Sequence, residues 1–310
     1  MKNLHTRRLT PLLSLTVLLA CCAACSGPLT PTPRPVTPSP APLPTSFSGH
    51  VSATNGGSVA GVQVSTATLS STVDGSGGFQ LAAVPGTRVT LLGMGIVPRS
   101  TRLTDHMAVF GPGFDLSFYR QFARNGFDQP AHLEPIRHWT EAPLIYLRTV
   151  RDDGVAIDAL TLDRVAATII DTAAIWSGGR FGVRGLEQGT GTKVGQTGWI
   201  TVTWPKLDDP IITGNVCGRA QVGTDGGYLA LAYKKTTPTV NCSCGAIQTY
   251  PAIIRHELGH AFGFWHTDRP TDVMFPQVQS CDQQPSARER EYAGYVYSRP
   301  VGNVDPDEDR

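Results

Sequence analysis

One stretch of the chain, HELGHAFGFWH, holds side chains that could do chemistry together. His256 and His260 are four residues apart, so on an α-helix both side chains lie on one face and can reach one metal ion. Glu257 is offset by one residue and can reach a water bound to that ion. A sharp turn at Gly263, where glycine tolerates positive φ, would bring His266 to the same ion. Three protein ligands and one water describe a catalytic zinc site of a hydrolytic kind.

The residues around this stretch predict the helix that must position it. Apolar residues fall between Thr249 and Phe264 at spacings compatible with one buried stripe: Ile253, Ile254, Leu258, Ala261 and Phe262. The alternative is that His256 and His260 are ordinary helix-face histidines and Gly263 an ordinary C-cap. That alternative requires five matches to the pattern to coincide by chance, so the zinc site is favoured.

A methionine, Met274, follows the third histidine in the segment TDVMFP. Together these features resemble the metzincin clan of zinc endopeptidases, which share the long zinc motif and a later tight turn, the Met-turn, with a methionine beneath the metal. The short interval looks most like matrixins. The resemblance implies His256, His260 and His266 as ligands of one Zn²⁺, Glu257 as the general base and Met274 as the Met-turn residue. A simple core methionine is the alternative for Met274.

Two residues depart from the family patterns. Thr267 follows the third histidine, where matrixins usually have serine, and Pro276 stands where astacins and serralysins have tyrosine. The subfamily is therefore open. Over residues 105–300 the resemblance implies an α/β (α+β) catalytic domain with a twisted mixed sheet and a long active-site helix. A structural Ca²⁺ is compatible with it, although no residue pattern indicates one.

The first 24 residues have the layout of a signal peptide. Lys2, Arg7 and Arg8 precede an apolar run over residues 9–20, which is too short to cross a bilayer as a helix. We therefore expect an exported protein.

The end of this segment resembles the lipobox of bacterial lipoproteins. Small residues precede Cys25, and Ser-Gly follows it, which makes Cys25 the expected lipidation site. Cys21 and Cys22 are weaker candidates, and plain secretion after cleavage nearby is the alternative. A lipidated cysteine would hold a bacterial cell-envelope lipoprotein on a membrane without a spanning helix.

Two further segments precede the catalytic region. Residues 25–45 are rich in proline and threonine and predict an extended polyproline II linker. Residues 46–104 alternate short β-type runs with glycine turns, which predicts a small all-β sandwich. Its Gly-x-Phe ending at Phe79 and the following Pro85-Gly86 resemble carboxypeptidase-regulatory-like domains, which implies a spacer or adhesion module. Alternatively, this segment is the first part of one continuous domain.

The catalytic region has its own predicted elements. Strands are predicted at 144–150, 199–204 and 227–233, and a long first helix at 158–175. Ser286 and Glu289 form a capping-box pattern, which predicts a helix to about residue 297. Residues 301–310 read as a polar tail that frays from residue 305.

The strand at 227–233 bears on the substrate. In metzincins the strand before the active-site helix is an edge strand on the upper rim of the cleft. An extended peptide could pair with such an edge, which makes a polypeptide the expected substrate. An interior core strand is the alternative for these apolar residues.

The cysteines of the catalytic region fit an exported protein. Cys217, Cys242, Cys244 and Cys281 are expected to form two disulfides. Cys242 and Cys244 are too close in sequence to pair comfortably with each other. A structural zinc held by all four thiolates is the alternative, although the usual C-x-x-C spacing is absent.

Charge excludes one class of partner. Residues 1–24 contain three of the 26 basic residues and none of the 25 acidic ones, so the remainder has a formal net charge of −2. With no basic stripe, nucleic-acid binding has no electrostatic support. The sequence therefore predicts a monomeric, membrane-anchored zinc endopeptidase that acts on a protein or peptide. The alternatives are a non-catalytic binding lipoprotein and a zinc amidase of a non-peptide or cell-wall substrate.

Overall fold

The computed structural model describes residues 46–310, which form one compact unit of mixed α/β architecture. The predicted signal peptide, the lipidation site Cys25 and the proline-rich linker lie outside the described residues. Within residues 46–310, no helix is both long enough and apolar enough to cross a membrane.

The first seven strands form two small sheets around a common hydrophobic core. They are β1 (Phe47–Ala53), β2 (Gln63–Ser65), β3 (Ser70–Thr72), β4 (Gly78–Leu81), β5 (Arg88–Leu92), β6 (Arg99–Arg102) and β7 (His106–Val109). The strand orders are β4-β1-β7 and β3-β2-β5-β6. Val51, Val64 and Leu91 are fully buried between them. Because β7 pairs in parallel with β1, this part extends to Val109, beyond the boundary at residue 104 that the sequence indicated.

A five-stranded sheet and four helices form the rest of the chain. The elements are α1 (Leu116–Arg124), β8 (Leu144–Arg148), α2 (Ala159–Trp176), β9 (Gly185–Gly189), β10 (Trp199–Thr203), β11 (Gly218–Ala220), β12 (Tyr228–Leu231), α3 (Pro251–Ala261) and α4 (Ala287–Tyr297). The sheet order is β11-β12-β10-β8-β9, with only β11 antiparallel to its neighbour among these strands.

Helix ends follow the capping residues in the sequence. Asp158 caps α2 by accepting from the backbone N–H of Thr161 at 2.8 Å. Ser286 and Glu289 cap α4 reciprocally, which confirms the predicted capping box and helix. Helix α3 packs on α2, where the indole Nε1 of the buried Trp176 donates to the carbonyl of Arg255 at 3.0 Å.

The edge of the sheet differs from the expectation. Residues 228–231 form β12, which is an interior strand, so the prediction that this segment is the edge was wrong. The three-residue strand β11 covers it, with Gly218 opposite Leu231 and Ala220 opposite Leu229. Among the described strands, β11 ends the sheet. The physical reason is that β12 is fully apolar and buried over its last three residues, whereas β11 carries the exposed Arg219.

Two disulfides close the loops around this edge. Cys217 pairs with Cys242, and Cys244 pairs with Cys281. The cysteines are thus bonded as two pairs, as expected from the sequence, and they do not form a four-thiolate metal site.

The C-terminal segment is not a frayed tail. Asp307 is fully buried and accepts from the Arg299 guanidinium at 2.8 Å, and Asp309 accepts from Arg99 at 2.8 Å. Asp305 accepts two hydrogen bonds from Arg120. The expectation of fraying was wrong because these carboxylates pair with arginines, of which Arg99 and Arg120 lie far away in sequence.

Candidate metal centre

Helix α3 places two of the three histidines. Its first residue, Pro251, suits the first turn because that position needs no N–H donor. His256 and His260 follow one turn apart on the buried helix, with their ring centroids 4.7 Å apart. Their Nε2 atoms are 3.1 Å apart.

The turn after α3 brings in the third histidine. Gly263 has φ +111°, and a Cβ there would collide with the carbonyl oxygen of Arg137, so both conformation and space require glycine. His266 then lies with its ring centroid 5.4 Å from that of His256 and 4.9 Å from that of His260. One nitrogen of each ring falls within 4.8 Å of the other two.

Hydrogen bonds at Nδ1 of His256 and His260 determine which ring nitrogen carries the proton. Nδ1 of His256 lies 2.7 Å from the carbonyl oxygen of Val273, and Nδ1 of His260 lies 2.8 Å from that of Phe264. A carbonyl oxygen can only accept, so both Nδ1 atoms carry the proton and, in the neutral rings, both Nε2 atoms present lone pairs.

Burial keeps these rings neutral. It lowers the pKa of His256 to about 4, with the neighbouring His266 lowering it further. The pKa of His260 also lies well below its ordinary value, from burial first and then from His256 and His266.

The three histidines fit a tetrahedral metal ion. Two lone pairs 3.1 Å apart in a buried site repel each other unless a cation lies between them. Ligand nitrogens 2.0–2.1 Å from a tetrahedral zinc would be about 3.3 Å apart, close to the observed separation. The donor set therefore suits Zn²⁺.

Glu257 is a buried carboxylate next to these ligands. It is 5% exposed, and its Oε2 has no hydrogen-bond partner among residues 46–310. Burial raises the pKa of Glu257 to about 8, and the nearby Arg219 guanidinium opposes that rise. The edge strand passes directly over this side chain: a Cβ on Gly218 would lie 2.6 Å from Glu257 Oε1. A buried, unpartnered carboxylate beside a metal site is suited to exchange a proton with a bound molecule.

Met274 is fully buried against helix α3. A Cβ added at Gly259 would collide with its sulfur, so the thioether touches the helix between the two histidine turns. The Met274 carbonyl accepts from the backbone N–H of Thr267 at 3.0 Å. Met274 and the turn that carries it therefore lie against the helix with His256 and His260.

Two further side chains shape the site, and only one of them was marked by the sequence. The carboxylate of Asp128 lies 2.8 Å from His266 Nδ1, although 138 residues separate them. Thr267 is buried and donates to Asp272 at 2.8 Å, which anchors the turn that follows His266. No local pattern marks Asp128, whereas the unusual Thr267 was itself a signal.

Comparisons with known proteins give only distant similarities. No protein-family model and no curated protein sequence matches this chain. Among solved structures, the chain is similar to high choriolytic enzyme 1, a hatching-enzyme zinc-protease from the medaka fish Oryzias latipes. The match has 13% identity and a TM-score of 0.29, and it covers 53% of this chain and 99% of that one. The chain is also similar to metalloproteinase-II from Bacteroides fragilis. That match has 11% identity and a TM-score of 0.34, and it covers 80% of this chain and 84% of that one.

Proposed function

We propose that this protein is a zinc-dependent endopeptidase of the metzincin type. The observation that carries the proposal is the convergence of three imidazoles whose outer nitrogens are hydrogen-bonded, next to the buried and unpartnered carboxylate of Glu257. His256, His260 and His266 would hold one Zn²⁺. When bound there, the ion would lower the pKa of a coordinated water and polarise the scissile carbonyl.

Glu257 is the proposed general base and acid. Its carboxylate takes a proton from the attacking water and passes it to the nitrogen of the leaving amine, which breaks the peptide bond. Burial raises the pKa of Glu257 to about 8, and a Zn²⁺ bound beside it would lower that pKa toward neutrality, where the group can both accept and return a proton.

A polypeptide is the proposed substrate because of the edge strand above this carboxylate. One side of β11 pairs with β12, and no other described strand pairs with its opposite side. An extended peptide added there would run past Gly218 and therefore past Glu257. We therefore assign to β11 the role of the substrate-pairing edge strand, which was expected for residues 227–233.

The test compares the wild type with Glu257→Gln. Both proteins are assayed for bound zinc and for cleavage of a mixed peptide library. We expect equal zinc content and a loss of cleavage of several orders of magnitude in the variant. Zinc without any peptide cleavage by the wild type would favour a binding lipoprotein or an amidase of a non-peptide substrate instead.

We also propose export of a monomer and anchoring through Cys25, with residues 46–109 as a spacer or adhesion module. The sequence pattern at residues 1–25 supports the anchor. Replacing Cys25 by serine should move the protein from the membrane fraction to the soluble fraction, and an unchanged distribution would exclude this anchor.

A further inference from the structure

The third histidine depends on elements outside the metal-binding helix. His256 and His260 are held by α3, whereas His266 lies beyond the turn at Gly263 and is half-buried at the surface. Its orientation must therefore come from what contacts that turn.

Helix α1 and the loop after it make three of these contacts. The carbonyl of Phe122 accepts from the backbone N–H of Trp265 at 2.8 Å, on one side of His266. The side chain of Gln121 accepts from the N–H of Asp268 at 3.1 Å, on the other side. Between them, the carboxylate of Asp128 lies 2.8 Å from Nδ1 of His266. His266 is thus held by backbone hydrogen bonds of residues before and after it and by a hydrogen bond to its own ring.

We infer that Asp128 is a positioning residue for the proposed metal site. Its carboxylate accepts the Nδ1–H of His266, which fixes the ring's orientation and leaves the Nε2 lone pair facing the other two histidines. This inference rests on the metal site of the proposed function and needs no assumption about the substrate.

The loop that carries Asp128 starts from a helix end that is held in place by several contacts. Helix α1 ends at Arg124. Its C-cap residue Asn125 has φ 60° and turns the chain, and the Asn125 carbonyl accepts from Gln129 N–H at 2.9 Å. The ring of Phe122 stacks on Phe264 at 4.2 Å between centroids. The guanidinium of the buried Arg124 donates to the Asn303 carbonyl at 2.8 Å. The loop that carries Asp128 therefore starts from a fixed helix end.

The exposure of the Asp128–His266 pair distinguishes a positioning role for Asp128 from a role in folding. The Asp128 side chain is 40% exposed and that of His266 is 27% exposed. A pair this exposed contributes little to folding, so its loss should act on the metal and leave the stability of the metal-free protein unchanged.

The test measures zinc affinity in the full chain. Metal-free wild type, Asp128→Ala and Asp128→Asn are titrated with zinc against a chelating indicator, and thermal unfolding of each metal-free protein is recorded. We expect about 10- to 100-fold weaker zinc binding for the alanine variant. The asparagine variant should lose less, because its side-chain oxygen can still accept from Nδ1. Asp153→Asn, which changes an exposed carboxylate paired with Arg151, is the matched control and should bind zinc like the wild type.

Three results would overturn the inference. One is unchanged zinc affinity in Asp128→Ala. Another is a loss of affinity that appears only together with a lower unfolding temperature of the metal-free protein. A wild type that binds no zinc would overturn both this inference and the proposed function. By contrast, a wild type that binds zinc but cleaves no peptide refutes only the peptidase, and a zinc-affinity loss in Asp128→Ala would then still support the positioning role.

Discussion

Gly218 offers a test of the proposed catalytic carboxylate without the substitution of any proposed functional side chain. In Gly218→Ala the new Cβ would lie 2.6 Å from both Cγ and Oε1 of Glu257, whereas ordinary contact begins at 3.4 Å. Gly218 does not have positive φ, so alanine causes no backbone strain there. The Glu257 side chain must therefore retreat by roughly 0.8 Å, the difference between the two distances. A displacement of about 1 Å can cost about 100-fold in rate, or about 2.7 kcal/mol in the activation free energy.

The free energy of unfolding should change little in Gly218→Ala. Alanine in a strand is favoured over glycine by roughly 0.5–1 kcal/mol, which offsets part of the local crowding. The assay is kcat/KM on a cleaved peptide, with bound zinc and the free energy of unfolding measured in parallel. Gly185→Ala in β9, at the other end of the sheet, is the matched control, because its Cβ would approach only Leu144 at 3.2 Å. Full activity of zinc-loaded Gly218→Ala, or equal losses in both variants, would refute the reasoning.

Two further predictions concern stability. Asp307→Ala should lower the free energy of unfolding by about 3–5 kcal/mol, because it leaves the buried Arg299 guanidinium without its partner. In denaturant titrations Glu308→Gln, which breaks an exposed pair, should cost under about 1 kcal/mol, and equal effects would contradict the account. Burial and then Asp272 raise the pKa of Glu289 from 4.5 to about 7, so the folded state keeps this proton longer than the unfolded state does. The protonated Glu289 side chain therefore stabilises the folded state fully below pH 4.5. This stabilisation is lost as the pH rises to about 7, by at most about 3 kcal/mol in the free energy of unfolding. Over that interval the wild type should lose stability relative to Glu289→Gln, which does not titrate, and a pH-independent difference between the two would count against this prediction.

The sequence predicted those parts of the molecule that local patterns determine. The helix carrying His256 and His260, the long helix after Asp158 and the capping box at Ser286 each rest on residues three or four apart. Such spacings are read directly from a sequence because the same neighbours meet in the helix.

The misses were all contacts between distant segments. Strand β11 has only the residues Gly218, Arg219 and Ala220, which carry no β-type pattern, and its place at the edge depends on pairing with β12. The acidic end of the chain looks like a solvated tail until Arg99 is brought against Asp307 and Arg120 against Asp305. Asp128 meets His266 only because α1 packs beside the turn after α3.

The central claim is that His256, His260 and His266 hold a zinc ion at a site with an open position. Zinc-edge X-ray absorption on the purified protein tests this most directly. We expect one zinc with three imidazole nitrogens at about 2.0–2.1 Å and an oxygen ligand. Sulfur ligands at about 2.3 Å, or zinc that remains bound after all three histidines are replaced by alanine, would contradict it.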